Sequence, residues 1–110
     1  MAVTPQPAIG VSGALLDAAV LAVVARGDTY GYVLTQQIRD SLDVAESTVY
    51  PVLRRLAGDG SLWCYDVPID GRNRRYYAVT DFGRARLASL IAEWGGYKAK
   101  IDALFTQEAT

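Results

Sequence analysis

The stretch ESTVYPVLRRLAGDG, from Glu46 to Gly60, constrains the fold most strongly because its apolar residues recur at a helical spacing. They fall at i, i+3, i+4 and i+7 and share one side of a helix: Val49, Val52, Leu53 and Leu56. The other side carries hydroxyl groups followed by fixed positive charge: Ser47, Thr48, Tyr50, Arg54 and Arg55. Such a helix can pack against a core and touch a phosphate backbone, although an ordinary amphipathic helix with a solvated polar face fits equally well.

Charge is distributed unevenly along the chain. The net charge of −1 argues against a tail that binds nucleic acid simply by being basic. Residues 1–46 hold two basic and five acidic side chains, whereas residues 47–86 hold seven arginines and four aspartates. A local positive field therefore coincides with the polar helix face.

The composition excludes several kinds of site. The chain has no histidine, which rules out a catalytic triad, and its single cysteine, Cys64, can form neither an intramolecular disulfide nor a cysteine-clustered metal site. There is also no glycine-rich phosphate loop, so we expect neither an enzyme nor a cofactor. The apolar run 14–25 is too short for a membrane span and contains Asp17, so we expect a cytoplasmic protein without a membrane partner.

A chain of 110 residues with 51% hydrophobic side chains predicts one compact unit. The N-terminal TPQPAIGVSG predicts an irregular arm, and Ser12 can cap a first helix that stops at Arg26-Gly27. The apolar face of this helix comprises Leu15, Leu16, Ala19, Val20, Val23 and Val24. A second helix is expected from Tyr30 to Leu42.

The short connection between the second and third helices predicts a helix-turn-helix. Asp43 and Glu46 fit the D-x-x-E form of a capping box for the third helix. Pro51 would lie in the helix interior if the helix began at Asp43, and in the first turn if it began at Ser47. We therefore expect an irregular first turn.

Two apolar runs, Leu62–Val67 and Arg75–Val79, predict a β-hairpin. The intervening loop, from Pro68 to Asn73, would make the tip flexible and project Arg72, Arg74 and Arg75. A solvated turn is one interpretation of these arginines, and contact with phosphates is the favoured one. Three helices followed by a hairpin indicate a winged helix, a mainly α fold with a small β element.

The last helix is expected from about Phe82 towards Gln107, with Thr80 or Asp81 as its cap. Its apolar residues follow a heptad seam: Leu87, Leu90, Trp94, Tyr97, Ile101 and Leu104. A helix this long exceeds what a small domain can cover, which predicts a homodimer. The division expected is a DNA-binding part at 1–80 and a dimerisation helix at 81–110. Gly95-Gly96 predicts a bend or a close helix–helix approach.

The sequence resembles the PadR family of bacterial transcriptional regulators, in its short form with a single C-terminal helix. The resemblance covers roughly residues 15–105, and its strongest parts are STVYPVLRRLAGDGSL and GRNRRYYAVTDFGR. The matching positions are Tyr50-Pro51, Leu53, Leu56, Gly60, Tyr76-Tyr77, Thr80 and Gly83, with Tyr30-Gly31-Tyr32 at the start of the second helix. Ala45 departs from the family's usual Ser or Thr cap.

The resemblance implies roles for particular residues. Base-facing positions would be Ser47, Thr48 and Tyr50, and backbone-facing positions would be Arg54, Arg55, Arg72, Arg74 and Arg75. In short-form members that respond to aromatic or cationic compounds, a tryptophan on the last helix faces the dimer axis, and Trp94 occupies a matching place. In such a site Glu93 and Asp102 would be the acidic partners of a bound cation, although an indole that simply fills the dimer core is the alternative.

The sequence thus predicts a homodimeric DNA-binding transcription factor, a repressor, that recognises an inverted-repeat operator in double-stranded DNA. Release by a flat aromatic or cationic compound, as in multidrug-binding members, is the associated hypothesis. The alternative is a winged-helix module that binds protein rather than specific DNA.

Overall fold

A computed structural model describes residues 9–106. Residues 4–8 of the predicted N-terminal arm therefore lie outside the described residues, as does Gln107 at the predicted helix end. The elements in chain order are α1 (Gly13–Ala25), β1 (Thr29–Tyr30), α2 (Gly31–Leu42), α3 (Glu46–Gly58), β2 (Leu62–Ile69), β3 (Arg72–Val79) and α4 (Asp81–Thr106). This is a winged helix with a long C-terminal helix, which confirms the predicted fold class. None of the described helices is both long and apolar enough to span a membrane.

The core lies where α1, α2 and α3 meet the sheet. The predicted cap of α1 is confirmed, because the Ser12 hydroxyl accepts a hydrogen bond of 3.2 Å from the Leu15 amide. The apolar faces of the three helices are buried together with one side of the sheet: Leu16, Val20, Leu21, Val24, Leu34, Ile38, Val49, Val52, Leu53, Leu56, Leu62 and Tyr77. Each fully buried leucine or isoleucine contributes about 1.5–3 kcal/mol.

The turn between α2 and α3 differs from the prediction. Asp43 has φ 56° and closes α2, with its amide donating to the Arg39 carbonyl, so it cannot cap α3. The N-cap is Ala45, which has no side-chain hydrogen bond to offer, and the predicted capping box is wrong. Glu46 instead accepts hydrogen bonds from the side chains of Gln36 (2.7 Å) and Arg39 (3.1 Å). Contacts with α2 therefore tie down the first turn of α3.

Pro51 lies in the second turn of α3, beyond the first turn where proline is best tolerated. The helix nevertheless continues to Gly58, and the Pro51 ring is exposed. Because proline has no N–H, the Ser47 carbonyl receives no helical hydrogen bond from it. The buried face on the opposite side holds this segment helical.

The hairpin formed by β2 and β3, which we call the wing, has a tighter turn than the sequence predicted. Asp70 (φ 49°) and Gly71 (φ 78°) make a two-residue turn, and both lie in the left-handed region that hairpin turns of this length require. The strands therefore extend to Ile69 and Arg72, and the predicted six-residue flexible loop is wrong. Arg72, Arg74 and Arg75 are consequently strand residues with fixed directions.

A third strand, β1, was missed by the sequence analysis. It pairs antiparallel with β3, placing Thr29 opposite Tyr77 and Tyr30 opposite Tyr76, which gives the sheet order β1-β3-β2. A two-residue strand is too short for any alternation of apolar residues to reveal it. It joins the start of α2 directly to the wing.

The start of α4 is fixed against the sheet. The Thr80 hydroxyl accepts a 2.9 Å hydrogen bond from the Gly83 amide and thereby caps the helix, as predicted. A Cβ on Gly83 would lie 2.1 Å from the Ser61 carbonyl oxygen, so only glycine permits this approach. The helix then runs without interruption through Gly95-Gly96. The bend predicted there stays a prediction.

The heptad seam of α4 divides into two parts. Leu87 and Leu90 pack against the core of their own chain, so Leu90 is not simply a dimer residue, as the spacing had suggested. Beyond it, the large apolar side chains are mostly exposed: Ile91, Trp94, Tyr97, Leu104 and Phe105.

A buried carboxylate joins α1, α3 and α4. Asp17 of α1 is only 4% exposed and receives hydrogen bonds from two arginines. Arg55 of α3 donates to it from both terminal nitrogens, with Nη1 3.1 Å from Oδ2, and Arg86 of α4 donates from Nη2 at 3.0 Å. The hydrogen bond with Asp17 raises the pKa of Arg55.

Arg86 continues this network towards the sheet. Its Nη1 donates to Asp59 (2.9 Å) and to the Ser61 hydroxyl (3.3 Å). Burial alone would raise the pKa of Asp59, but hydrogen bonds from Ser61 and the nearby Arg86 outweigh it and lower the pKa. We call Asp17, Arg55, Arg86 and Asp59 the arginine junction.

The junction predicts opposite outcomes for two neighbouring arginines. Arg55→Ala should lower the free energy of unfolding by about 1–3 kcal/mol, because it leaves a buried carboxylate with fewer partners. Arg54→Ala, the matched control, should change it by less than about 0.5 kcal/mol. Urea unfolding followed by circular dichroism at one protein concentration measures both, and equal losses would contradict the structural role of Arg55.

Candidate nucleic-acid interface

The exposed side of α3 carries all the residues that the sequence singled out there: Ser47, Thr48, Tyr50, Arg54 and Arg55. Tyr50 is 40% exposed, while the apolar residues on the other side of the helix are buried. Hydroxyl groups lie near the N-terminus of α3, and guanidinium groups lie one to two turns later. Helices that read base edges present their N-terminal residues to the major groove in this way.

Strand alternation sends the wing arginines to opposite sides of the sheet. Arg75 shares its side with Tyr77, which is buried against the start of α2. Arg72 and Arg74 share the other side with Tyr76. The three arginines look equivalent in the sequence, whereas their places on the strand make them distinct.

Arg75 of the wing and Arg54 of α3 both act electrostatically on Tyr77. Burial raises the pKa of Tyr77, and the charges of Arg75 and Arg54 partly oppose this rise, so both guanidinium groups lie within electrostatic reach of Tyr77. One arginine comes from the wing and the other from α3. We call Arg54 and Arg75, with the exposed hydroxyl face of α3, the basic edge.

The predicted phosphate-contacting arginines differ in their partners. Within residues 9–106, Arg54, Arg72 and Arg74 form no ion pair. Arg75 pairs with Asp66 across the strands at 3.1 Å, and this contact raises the pKa of Arg75. Exposed pairs of this kind contribute at most about 1 kcal/mol and can be exchanged for a phosphate.

Arg55 is the exception among these arginines. Its guanidinium is held by the nearly buried Asp17, and breaking such a pair costs far more than breaking an exposed one. The phosphate contact of Arg55 stays a prediction, whereas its ion pair with Asp17 gives this side chain a structural role. The signal that sequence reasoning overlooked was Asp17, a single charge within an otherwise apolar helix.

A second candidate site is an open groove between α4 and the segment from Ile9 to Leu15. Its volume is about 980 Å³, and its aromatic lining comes from Trp94, Tyr97 and Phe105. The three predicted ligand residues, Trp94, Glu93 and Asp102, all line it. Asp102 forms a 3.0 Å ion pair with Lys98, whereas Glu93 pairs with no cation in the part of the chain that is described.

Comparison with known proteins adds to this geometry. Residues 20–89 match the family model described as the Transcriptional regulator PadR-like family. An uncharacterised protein of Lysinibacillus sphaericus is 37% identical over 93 residues, which cover 79% of this chain and 84% of the relative.

Solved structures share the fold. A crystal structure from Streptococcus mutans UA159 has a TM-score of 0.83 at 36% identity, covering 94% of this chain and 98% of that one. Bacillus subtilis PadR, solved in complex with operator DNA, has a TM-score of 0.61 at 26% identity, covering 69% of this chain and 46% of that one. Fold, family model and sequence identity agree, and the chain belongs to the PadR-like family, whose members are transcriptional regulators and not enzymes.

Proposed function

We propose that this protein is a homodimeric regulator that binds a specific double-stranded operator and represses transcription. The basic edge is the observation that carries the proposal, because α3 presents exposed hydroxyl groups followed by the exposed Arg54, and Arg75 of the wing lies within electrostatic reach of the same Tyr77. Bacillus subtilis PadR, which shares the fold, was solved in complex with operator DNA, and this supports DNA as the partner. Because the operator lies on chromosomal DNA, the expected cytoplasmic location belongs to the same proposal.

The interface divides into two kinds of contact. Ser47, Thr48 and Tyr50 read base edges from the first turns of α3, because hydroxyl groups can donate to and accept from the major-groove edges. The arginines Arg54, Arg72, Arg74 and Arg75 bind phosphates, which sets affinity and register without reading sequence. Arg55 instead holds α3 against α1 through its hydrogen bonds with Asp17 in the arginine junction.

The second half of α4 supports dimerisation through a second copy of the same helix. Leu104 and Phe105, 65% and 80% exposed, end a run of exposed apolar side chains along α4, and extended apolar surfaces of this kind mark protein–protein interaction sites. Heptad spacing lets two such stripes interdigitate, and a two-fold dimer presents two copies of α3 to DNA. A bound dimer that overlaps a promoter would exclude polymerase, which is the basis of the proposed repression.

The groove supports binding of a flat aromatic or cationic effector. Trp94 is 42% exposed and faces space that the neighbouring Gly95 and Gly96 leave open. In the dimer, two Trp94 rings could sandwich a planar compound, with Glu93 as the partner of a positive charge. Such a ligand regulates the operator only if it binds the free and DNA-bound arrangements unequally.

DNA binding is tested with an inverted repeat whose half-sites lie about 10 bp apart, or a multiple of that, centre to centre. Fluorescence anisotropy should show tighter binding to the repeat than to scrambled duplex, and Arg54→Ala should reduce the salt slope by about one unit. Lys100→Ala, on α4, is the charge-matched control and should leave the slope unchanged. A protein that binds every duplex equally, or none, would favour the protein-interaction alternative.

Assembly is tested at the exposed part of the seam, because Leu90 also belongs to the chain's own core. Leu104→Asp should dissociate the dimer in sedimentation experiments by placing an unpaired charge in the interface. Ala103→Asp adds the same charge to the opposite side of the helix and should leave the dimer intact. If Leu104→Asp remains a dimer, this part of α4 is not the dimer interface.

Effector binding is tested by tryptophan fluorescence. Planar cationic dyes should quench the fluorescence with a micromolar dissociation constant, and Trp94→Ala should abolish the quenching while sparing the dimer. Trp63, 62% exposed on β2, is the internal control, because it lies on the wing rather than on α4. If the quenching persists in Trp94→Ala, or if that variant no longer dimerises, the effector site at Trp94 is contradicted. Trp94 is then a residue that fills the dimer core.

A further inference from the structure

A row of tyrosine rings crosses all three strands of the sheet. Antiparallel register places Tyr30 of β1 and Tyr65 of β2 on either side of Tyr76 of β3. The ring centroids of Tyr30 and Tyr76 are 5.9 Å apart, and those of Tyr65 and Tyr76 are 5.8 Å apart. These separations lie in the range of favourable aromatic pairs. The rings cover one another, so their faces are not a free platform for stacking bases.

A hydrogen bond fixes the row at its Tyr65 end. The Tyr65 hydroxyl donates a 2.6 Å hydrogen bond to Asp28, the residue immediately before β1. This hydrogen bond raises the pKa of Tyr65. Because Asp28 lies two residues before Tyr30, the hydrogen bond connects the Tyr65 end of the row to the strand that carries Tyr30.

Arg74 lies over the last ring of this row. Its Cζ is 5.0 Å from the centroid of Tyr30, within the distance of a cation–π contact. Strand β1 ends at Tyr30 and α2 begins at Gly31, so on the β1 side no strand residue lies opposite Arg74, whereas on the β2 side its partner is Val67. The guanidinium covers the half-buried ring of Tyr30 instead. Within residues 9–106 it forms no ion pair that would otherwise orient it.

We propose that Tyr30 is a positioning residue for nucleic-acid binding, which holds the Arg74 guanidinium over the sheet in the orientation that meets a phosphate. This inference rests on the proposed function. A cation–π contact uses the guanidinium face and leaves its N–H groups free to donate. Holding the long arginine side chain in advance reduces the conformational entropy lost on binding. Arg72, on the same side of the sheet, has no such contact among the described residues.

The test is a double-mutant cycle between Tyr30 and Arg74, read as affinity for a duplex carrying the preferred site. Tyr30→Leu should weaken binding about two- to fivefold, the range expected from an exposed cation–π contact. Tyr30→Phe keeps the ring and should bind like the wild type. In an Arg74→Ala background, Tyr30→Leu should cost nothing further, whereas in an Arg72→Ala background it should cost as much as in the wild type.

A structural role for Tyr30 gives a different pattern. If Tyr30→Leu weakens binding equally with and without Arg74, the ring supports the sheet and does not position the guanidinium, and the inference is overturned. Ring-current shifts of the Arg74 side-chain protons, measured by NMR without DNA, should disappear in Tyr30→Leu and persist in Tyr30→Phe. Wild-type protein that binds no duplex at all would instead overturn the proposed function.

Discussion

The buried carboxylate of Asp17 sets the arrangement of the three helices on which the rest of the structure depends. A lone charge in an apolar interior would cost several kcal/mol, so it must be met by cations at hydrogen-bonding distance. Arg55 and Arg86 meet it from α3 and α4. Apolar packing has no preferred direction, whereas these charge-assisted hydrogen bonds do, and they fix how α3 lies against the other two helices.

This junction lies between the two candidate sites. Ala14 and Leu15 line the groove on α4 and precede Asp17 by two or three residues on the same helix. Asp17 in turn holds Arg55, whose neighbour Arg54 belongs to the basic edge. A ligand that displaced α1 would therefore act on the helix that anchors α3. Coupling of this kind requires the ligand to favour one arrangement, and proximity alone does not supply that preference.

The sequence predicted those features that repeat along the chain. Helical periodicity located α1, α2 and α3, and two short apolar runs separated by a turn located the wing. Features set by one or two residues were missed, among them the strand β1, the left-handed Asp43 and the two-residue turn at Asp70. The partner of Arg55 was missed for another reason: Asp17 lies 38 residues away, and no local pattern connects them.

The turn at Asp70-Gly71 changes what the wing can do, because it decides whether the arginines lie in a loop or in a strand. In a loop, three guanidinium groups would add to one diffuse positive field, and their number would set the affinity. In a strand, Arg75 shares the side of the sheet that carries the buried Tyr77, while Arg72 and Arg74 lie on the other side, each with different neighbours. A chain with a net charge of −1 has little general attraction for DNA, so the direction of each guanidinium matters more than the count.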